Sequence, residues 1–191
     1  MSGNPALKDH IAAGILDAAA AVLAERGEAA SMADIAAAAG VGRATLYRRF
    51  PNREALLQAL ARAAVQELDD RLAEAGLDTA PYPEALARLT RAFVATGSKY
   101  IAFMRSGHKP IEPAEVDRRL GEPLRELFRR GAADGSLRED LPPEVLLALF
   151  VGLIEAALVT ATQGGLGVER ASAAAISVFL DGTRDPRRRN H

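Results

Sequence analysis

Cysteine and tryptophan are absent from this chain of 191 residues. Without cysteine there is no disulfide, no thiolate nucleophile and no cysteine-ligated zinc. Histidine is scarce as well. His10, His108 and His191 are too few and too scattered to build a metal site, and no metal or cofactor is expected. His108, beside Lys109-Pro110, reads as a solvated loop residue. Aromatic residues make up only 5%, and no stretch alternates apolar and polar positions in the Val-, Ile-, Thr- or Tyr-rich manner that a sheet requires. The N-terminus has no basic region followed by an apolar run, so no signal peptide is read. The most apolar stretch, Val145 to Ala161, is short for a membrane span and carries Glu155 near its middle. It is expected to be a buried helix, and a cytoplasmic location is the default expectation.

What is present favours helices. Hydrophobic residues are 49% and charged residues 26%, ordinary for a globular protein, and the chain leans on alanine, leucine, arginine and glutamate. Alanine loses no side-chain entropy in a helix, whereas β-branched and aromatic residues lose rotamers there. The expected fold is all-α, with about nine helices in total. The net charge of −1 hides an uneven distribution. Between Arg43 and Arg53 stand Arg43, Arg48, Arg49 and Arg53 and a single acid is not found. A nucleic-acid binder needs its positive charge on the face that meets phosphate, not over the whole chain.

Apolar periodicity and punctuation place the elements. Leu7, Ile11, Ile15, Ala18 and Val22 predict a first helix to Arg26, stopped by Gly27. Ser31, with Asp34 three residues on, resembles a capping box and opens a short helix that Gly40-Val41-Gly42 ends. A third helix is expected from Arg43 to Phe50, with Leu46 and Phe50 inward, and Pro51-Asn52 ends it and caps the next. Longer helices follow over about Arg53–Ala75 and Glu84–Arg105, then two short ones near Ala114–Leu120 and Pro123–Ala133. An apolar helix runs from Pro142-Pro143 to about Thr162, and a last one covers about Glu169–Leu180. The predicted division is 1–51 as a three-helix bundle, 52–183 as a larger helical domain and 184–191 as a basic, disordered tail.

Residues 31–50 have the spacing of a helix-turn-helix. Close crossing of two helices needs a small residue on the first, a turn residue tolerant of positive φ, and an apolar anchor on the second. Ala36, Gly40 and Leu46 supply these. With Leu46 and Phe50 turned inward, Arg43, Ala44, Tyr47 and Arg48 face outward and Thr45 sits at the edge. A helix in the major groove reads bases with its first residues and holds phosphates with its flanks. Arg43 suits a guanine edge or a phosphate, Thr45 a base or a thymine methyl, and Tyr47 a phosphate through its hydroxyl. Arg48, Arg49 and Arg53 supply the salt-sensitive attraction, Arg53 at a helix start where backbone amides favour an anion.

These residues carry a resemblance. Ser31-Met32-Ala33-Asp34-Ile35-Ala36, Ala39-Gly40-Val41, Thr45-Leu46-Tyr47-Arg48, Phe50-Pro51 and Glu54-Ala55-Leu56, preceded by Ile15-Leu16-Asp17-Ala18-Ala19 and Glu25-Arg26-Gly27, resemble the N-terminal domain of the tetracycline-repressor (TetR) family of bacterial regulators over about residues 11 to 60. The resemblance implies DNA contacts at Ser31, Arg43, Ala44, Thr45, Tyr47, Arg48, Arg49 and Arg53. Gly42 stands where the family usually has a small hydroxyl residue, and Arg49 where a histidine is common.

It also implies a ligand cavity and a homodimer built by the C-terminal helices. Candidates for the cavity are Phe93, Gly97, Tyr100, Met104, Phe128, Phe150, Glu155 and Val159, with Phe93, Phe128 and Phe150 equally readable as core. A carboxylate in an apolar helix calls for a partner or a polar cavity, so Glu155 faces either a ligand or the dimer partner. The helix from Pro143 to Thr162 is apolar nearly all round, more than one small domain buries. Gly152, Ala156, Ala157, Ala171, Ala174 and Val178 are the expected dimer contacts. The implied function is a repressor that binds palindromic operator DNA as a dimer and is released by a small, mostly apolar molecule. Two alternatives are a helix-turn-helix protein controlled by a protein partner and a helical enzyme. Gly164-Gly165-Leu166-Gly167 lacks the lysine and hydroxyl of a phosphate loop, and no nucleophile-and-base arrangement stands out.

Overall fold

The computed structural model describes residues 5–105 and 112–183, with side chains over 10–100 and 112–183. His108 and the basic tail 184–191 lie outside the described residues, as does the side chain of Met104. All regular structure among the described residues is helical: α1 Pro5–Arg26, α2 Met32–Ala38, α3 Arg43–Arg49, α4 Arg53–Glu74, α5 Tyr82–Arg105, α6 Pro113–Val116, α7 Glu122–Ala133, α8 Pro143–Thr162 and α9 Gly167–Thr183.

Two boundaries differ from the expectation. Helix α5 starts at Tyr82 because Pro81 acts as its cap, its carbonyl accepting from the amides of Glu84 and Ala85 at 3.0 and 2.9 Å. Pro83 then falls in the first turn, where its missing N–H costs nothing. The two short helices expected around residues 114–133 are not separated. α6 runs into α7 through a π-helical turn, Asp117–Gly121, so Gly121-Glu122-Pro123 does not break the chain. Arg119 on that turn grips Asp69 of α4 through Nε and Nη2, at 3.0 and 2.8 Å.

The described chain divides into two compact units, one up to Ala64 joined by the stretch from Lys99, the other Val65–Ser98 with the chain from Pro113 onward. In the first, α1 turns Ile15, Ala19, Val22 and Leu23 inward, the i, i+4, i+7, i+8 spacing of one helix face. They meet Ile35 and Ala36 of α2, Leu46 of α3, and Leu56, Leu57, Leu60 and Ala61 of α4. Tyr100 joins this core, and Lys99 beside it pairs with Asp17 of α1 at 2.9 Å.

The second unit is built on aromatic packing. Phe128 of α7 contacts Tyr82 edge-on at 6.0 Å, Phe150 at 5.5 Å and Phe179 at 5.9 Å between ring centroids. Leucines from α4, α5, α7 and α8 enclose the cluster. Arg130 donates to the carbonyls of Leu77 and Ala80, at 2.5 and 3.1 Å, and Arg88 to that of Ala75 at 3.0 Å. These bonds satisfy the carbonyls of the α4–α5 connection, which has no ladder of its own.

Candidate nucleic-acid interface

The turn between α2 and α3 is dictated by one glycine. Ala39 closes α2 and Gly40 follows with φ of +64°. The amide of Val41 donates to Ala36 O at 3.0 Å and that of Gly40 to Ala37 O at 3.1 Å. This is the Schellman pattern, which satisfies the last carbonyls of a helix and turns the chain sharply. A β-carbon at Gly40 would meet nothing within 4 Å, so the requirement is conformational and not steric.

α3 is then fixed in rotation by its anchors. Leu46 is fully buried and Phe50, its C-cap, is buried as well. With 46 and 50 inward, Arg43, Ala44, Tyr47 and Arg48 share the exposed face, and Thr45 and Arg49 are half-buried at its edges. Tyr47 keeps 47% of its surface exposed, an unusual expense for a large aromatic unless its ring and hydroxyl have a partner to meet. Arg48 Nη2 lies 3.5 Å from Thr45 Oγ1, which leaves the guanidinium's other donors unspent. Gly42 is the N-cap of α3 and offers no side-chain bond, so the first amides of the helix are not capped by a side chain.

Ser31 and Arg53 are placed differently. Ser31 Oγ accepts from the Asp34 amide at 3.1 Å, and Asp34 Oδ2 accepts in return from the Ser31 amide at 2.9 Å and from its hydroxyl at 2.6 Å. Arg26 of α1 closes on Asp34 Oδ1 at 2.8 Å. The Ser31 hydroxyl and amide, with Arg26, hold the Asp34 carboxyl below the usual carboxylate range. Arg53 Nη1 donates to the carbonyl of Ala30. Asn52 Oδ1 takes the Ala55 amide at 2.8 Å, so the start of α4 carries its own cap where an anion was expected. Arg26 was not singled out by sequence. Its signal is the charge complementarity between the end of α1 and the third residue of α2.

Of the eight cavity candidates, seven have described side chains, six of them in the second unit and Tyr100 in the first. Phe128 and Phe150 are interior members of the aromatic cluster. Phe93 is half-buried beside it, and Gly97 is covered by Leu158, whose two δ-carbons would lie 3.1 Å from a β-carbon there. Tyr100 belongs to the first unit's core. Glu155 and Val159 are exposed. A groove of about 450 Å³ bounded by α4, α5 and α9 includes Arg71, Arg88, Arg91, Glu74 and Glu169 in its walls, and none of the eight.

The dimer candidates fall into two sets. Ala157 and Ala171 are buried between α8 and α9. Gly152, Ala156, Ala174 and Val178 are exposed. They are accompanied by Val145, Leu149 and Val159, which recur along the outer side of α8 at helical spacing. Glu155 shares that outer side.

Residues 15–60 match the profile of the bacterial regulatory proteins of the tetR family. The repressor LfrR of Mycolicibacterium smegmatis is 34% identical, over 73% of this chain and 88% of its own length. The repressor KstR2 of Rhodococcus jostii is 28% identical, over 90% of each. The crystal structure of LfrR from Mycobacterium smegmatis in complex with proflavine superposes with a TM-score of 0.72 and 29% identity, covering 90% of this chain and 96% of that one.

Proposed function

This chain belongs to the tetR family of bacterial regulatory proteins, and we propose that it is a repressor that grips palindromic operator DNA as a homodimer and lets go when a small molecule binds. The observation that carries this reading is the outer row of α3. Arg43, Ala44, Tyr47 and Arg48 stand exposed over the buried anchor Leu46. Arg43 and Ala44 enter the groove first, Thr45 at the edge touches a base, and Tyr47, Arg48 and Arg49 hold the backbone. Residues up to 51 make the DNA grip, and 52–183 the dimer and effector parts.

The outer face of α8 with Ala174 and Val178 of α9 supports the dimer, since a second copy covers an apolar surface that a lone chain leaves wet. Two-fold symmetry then sets two α3 helices about 34–36 Å apart, one turn of DNA. Release follows from population shift: an effector that binds a splayed dimer better draws it off DNA by the difference in its affinities. The effector is small and mostly apolar, and proflavine, bound in the LfrR crystal structure, is the first compound to try. The protein acts by binding and not by catalysis, in the bacterial cytoplasm where the DNA is.

The test is selection of duplexes from a random pool by the purified full chain at two salt concentrations. A palindromic motif, with affinity falling steeply with salt and lost in Arg43→Ala and Tyr47→Ala, is the expected result. No motif, with the variants behaving as the parent, would overturn the reading.

A further inference from the structure

The helix-turn-helix begins at Ala30-Ser31 and ends at Pro51-Asn52, and its two ends meet. Arg53, the first residue of α4, reaches back over 23 residues to donate to the carbonyl of Ala30, itself a buried residue. One residue further, Ser31 is locked to Asp34, and Asp34 to Arg26. The last turn of α1, the first turn of α2 and the first turn of α4 therefore meet at one hydrogen-bonded corner, and α2–α3 is a loop closed on itself.

Both Ser31 and Arg53 belong to the set of residues expected to touch DNA. The Ser31 hydroxyl has one proton, and a carboxylate can only accept, so that proton is spent on Asp34 and none is left to donate to a phosphate. Arg53 is half-buried and supplies the bond that a carbonyl beside the core requires. We infer that Ser31 and Arg53 are positioning residues: they pin the two ends of the helix-turn-helix so that α3 keeps the tilt at which its exposed row meets base edges. This rests on the DNA-binding reading above for its consequence, but the latch itself exists without DNA.

The two roles leave different marks. A phosphate contact is blind to sequence: its loss weakens binding to every duplex and lowers the slope of log affinity against log salt by about 0.9 per contact. A positioning residue aims the base-reading helix, and its loss erodes discrimination while the slope stays.

The experiment uses the full chain and Arg53→Met, which keeps length and apolar packing but removes donors and charge. Hydrogen exchange of the free protein is read first. The expected result is faster exchange over residues 30–39, with α8 and α9 unchanged; an unchanged pattern overturns the latch whatever DNA does. Affinity is then measured for the duplex selected from the random pool and for a scrambled duplex of the same composition. The expected result is a ratio lowered about tenfold, the weight of one base contact, at an unchanged salt slope. An equal loss on both duplexes with a shallower slope assigns Arg53 to phosphate and overturns the inference. Arg53→Lys guards against a variant that fails to fold. Its ammonium can still donate to the Ala30 carbonyl, so exchange and discrimination are read together: faster exchange over residues 30–39 with a lowered ratio supports the inference, and faster exchange at the parental ratio overturns it. If the parent selects no motif, the DNA-binding reading fails, and the exchange data still decide the latch.

Discussion

The ring of Tyr82 lies against Gly131 so closely that a β-carbon on residue 131 would stand 2.5 Å from Cε2 and 2.6 Å from Cδ2. Glycine inside α7 forgoes about 1 kcal/mol of helix propensity relative to alanine, and the contact explains why that loss is accepted. Tyr82 is buried and held edge-on by Phe128, so it has little room to retreat. Overpacking of this kind costs about 1–3 kcal/mol, which outweighs the propensity gain. Gly131→Ala should lower the thermal midpoint by a few degrees. A raised midpoint in a melting experiment would mean that the ring gives way freely.

The hydroxyl of the same tyrosine is buried and has no hydrogen-bond partner among the described residues. An unsatisfied buried polar group costs about 1–3 kcal/mol, so Tyr82→Phe should be neutral or stabilising in urea unfolding. A loss of more than about 1 kcal/mol would reveal a bonded hydroxyl.

Burial, assisted by the Asp134 carboxylate, holds the Tyr82 phenol above its ordinary range. A raised value in the folded state favours the neutral form there. Its contribution is complete below the unfolded value of about 10 and is lost as pH climbs above it. Stability should therefore decline above about pH 10, and less steeply in Tyr82→Phe, which urea titrations at pH 8 and at alkaline pH would compare.

Neighbouring residues on α3 should fail in opposite ways. Leu46 is fully buried, and Leu46→Ala should cost about 2–5 kcal/mol of stability, with DNA binding lost because α3 has no anchor. Tyr47 is exposed, so Tyr47→Ala should change stability by no more than about 0.5 kcal/mol and still abolish operator binding. Circular dichroism melts paired with DNA titrations separate the two. A Leu46→Ala of parental stability, or a destabilised Tyr47→Ala, would contradict the assignment of faces.

Leu149 and Val178 are 54% and 62% exposed. Charges there leave the inner packing of α8 and α9 intact and should split the dimer, so that Leu149→Glu with Val178→Glu sediments as a folded monomer and loses the operator. A dimer that survives both would move the interface elsewhere.

The short-range parts of this molecule were open to reading from sequence. Gly40, Leu46 and the Ser31–Asp34 box obey local rules that one turn of chain enforces, and each stands where its chemistry demands. The π turn at Asp117–Gly121 was not legible, because a glycine and a proline two residues apart look alike whether the helix stops or merely widens. Whether Phe128 and Phe150 fill a core or line a cavity was not legible, because phenylalanine in a core and phenylalanine in a pocket are the same side chain, distinguished only by partners distant in sequence, here Phe179 and Tyr82. Glu155 stands exposed on the outer side of α8, and what faces a carboxylate there is set by partners that one chain's sequence does not name.

The outer face of α8 also bears on dosage. If only paired chains hold an operator, then in the dilute regime the DNA-competent species grows with the square of the number of chains in the cell. Halving expression would cut occupancy more than twofold, and daughter cells that inherit unequal shares would differ in their silencing before any effector arrived. An apolar stripe a few turns long would thus make repression respond more steeply to expression than a lone chain would.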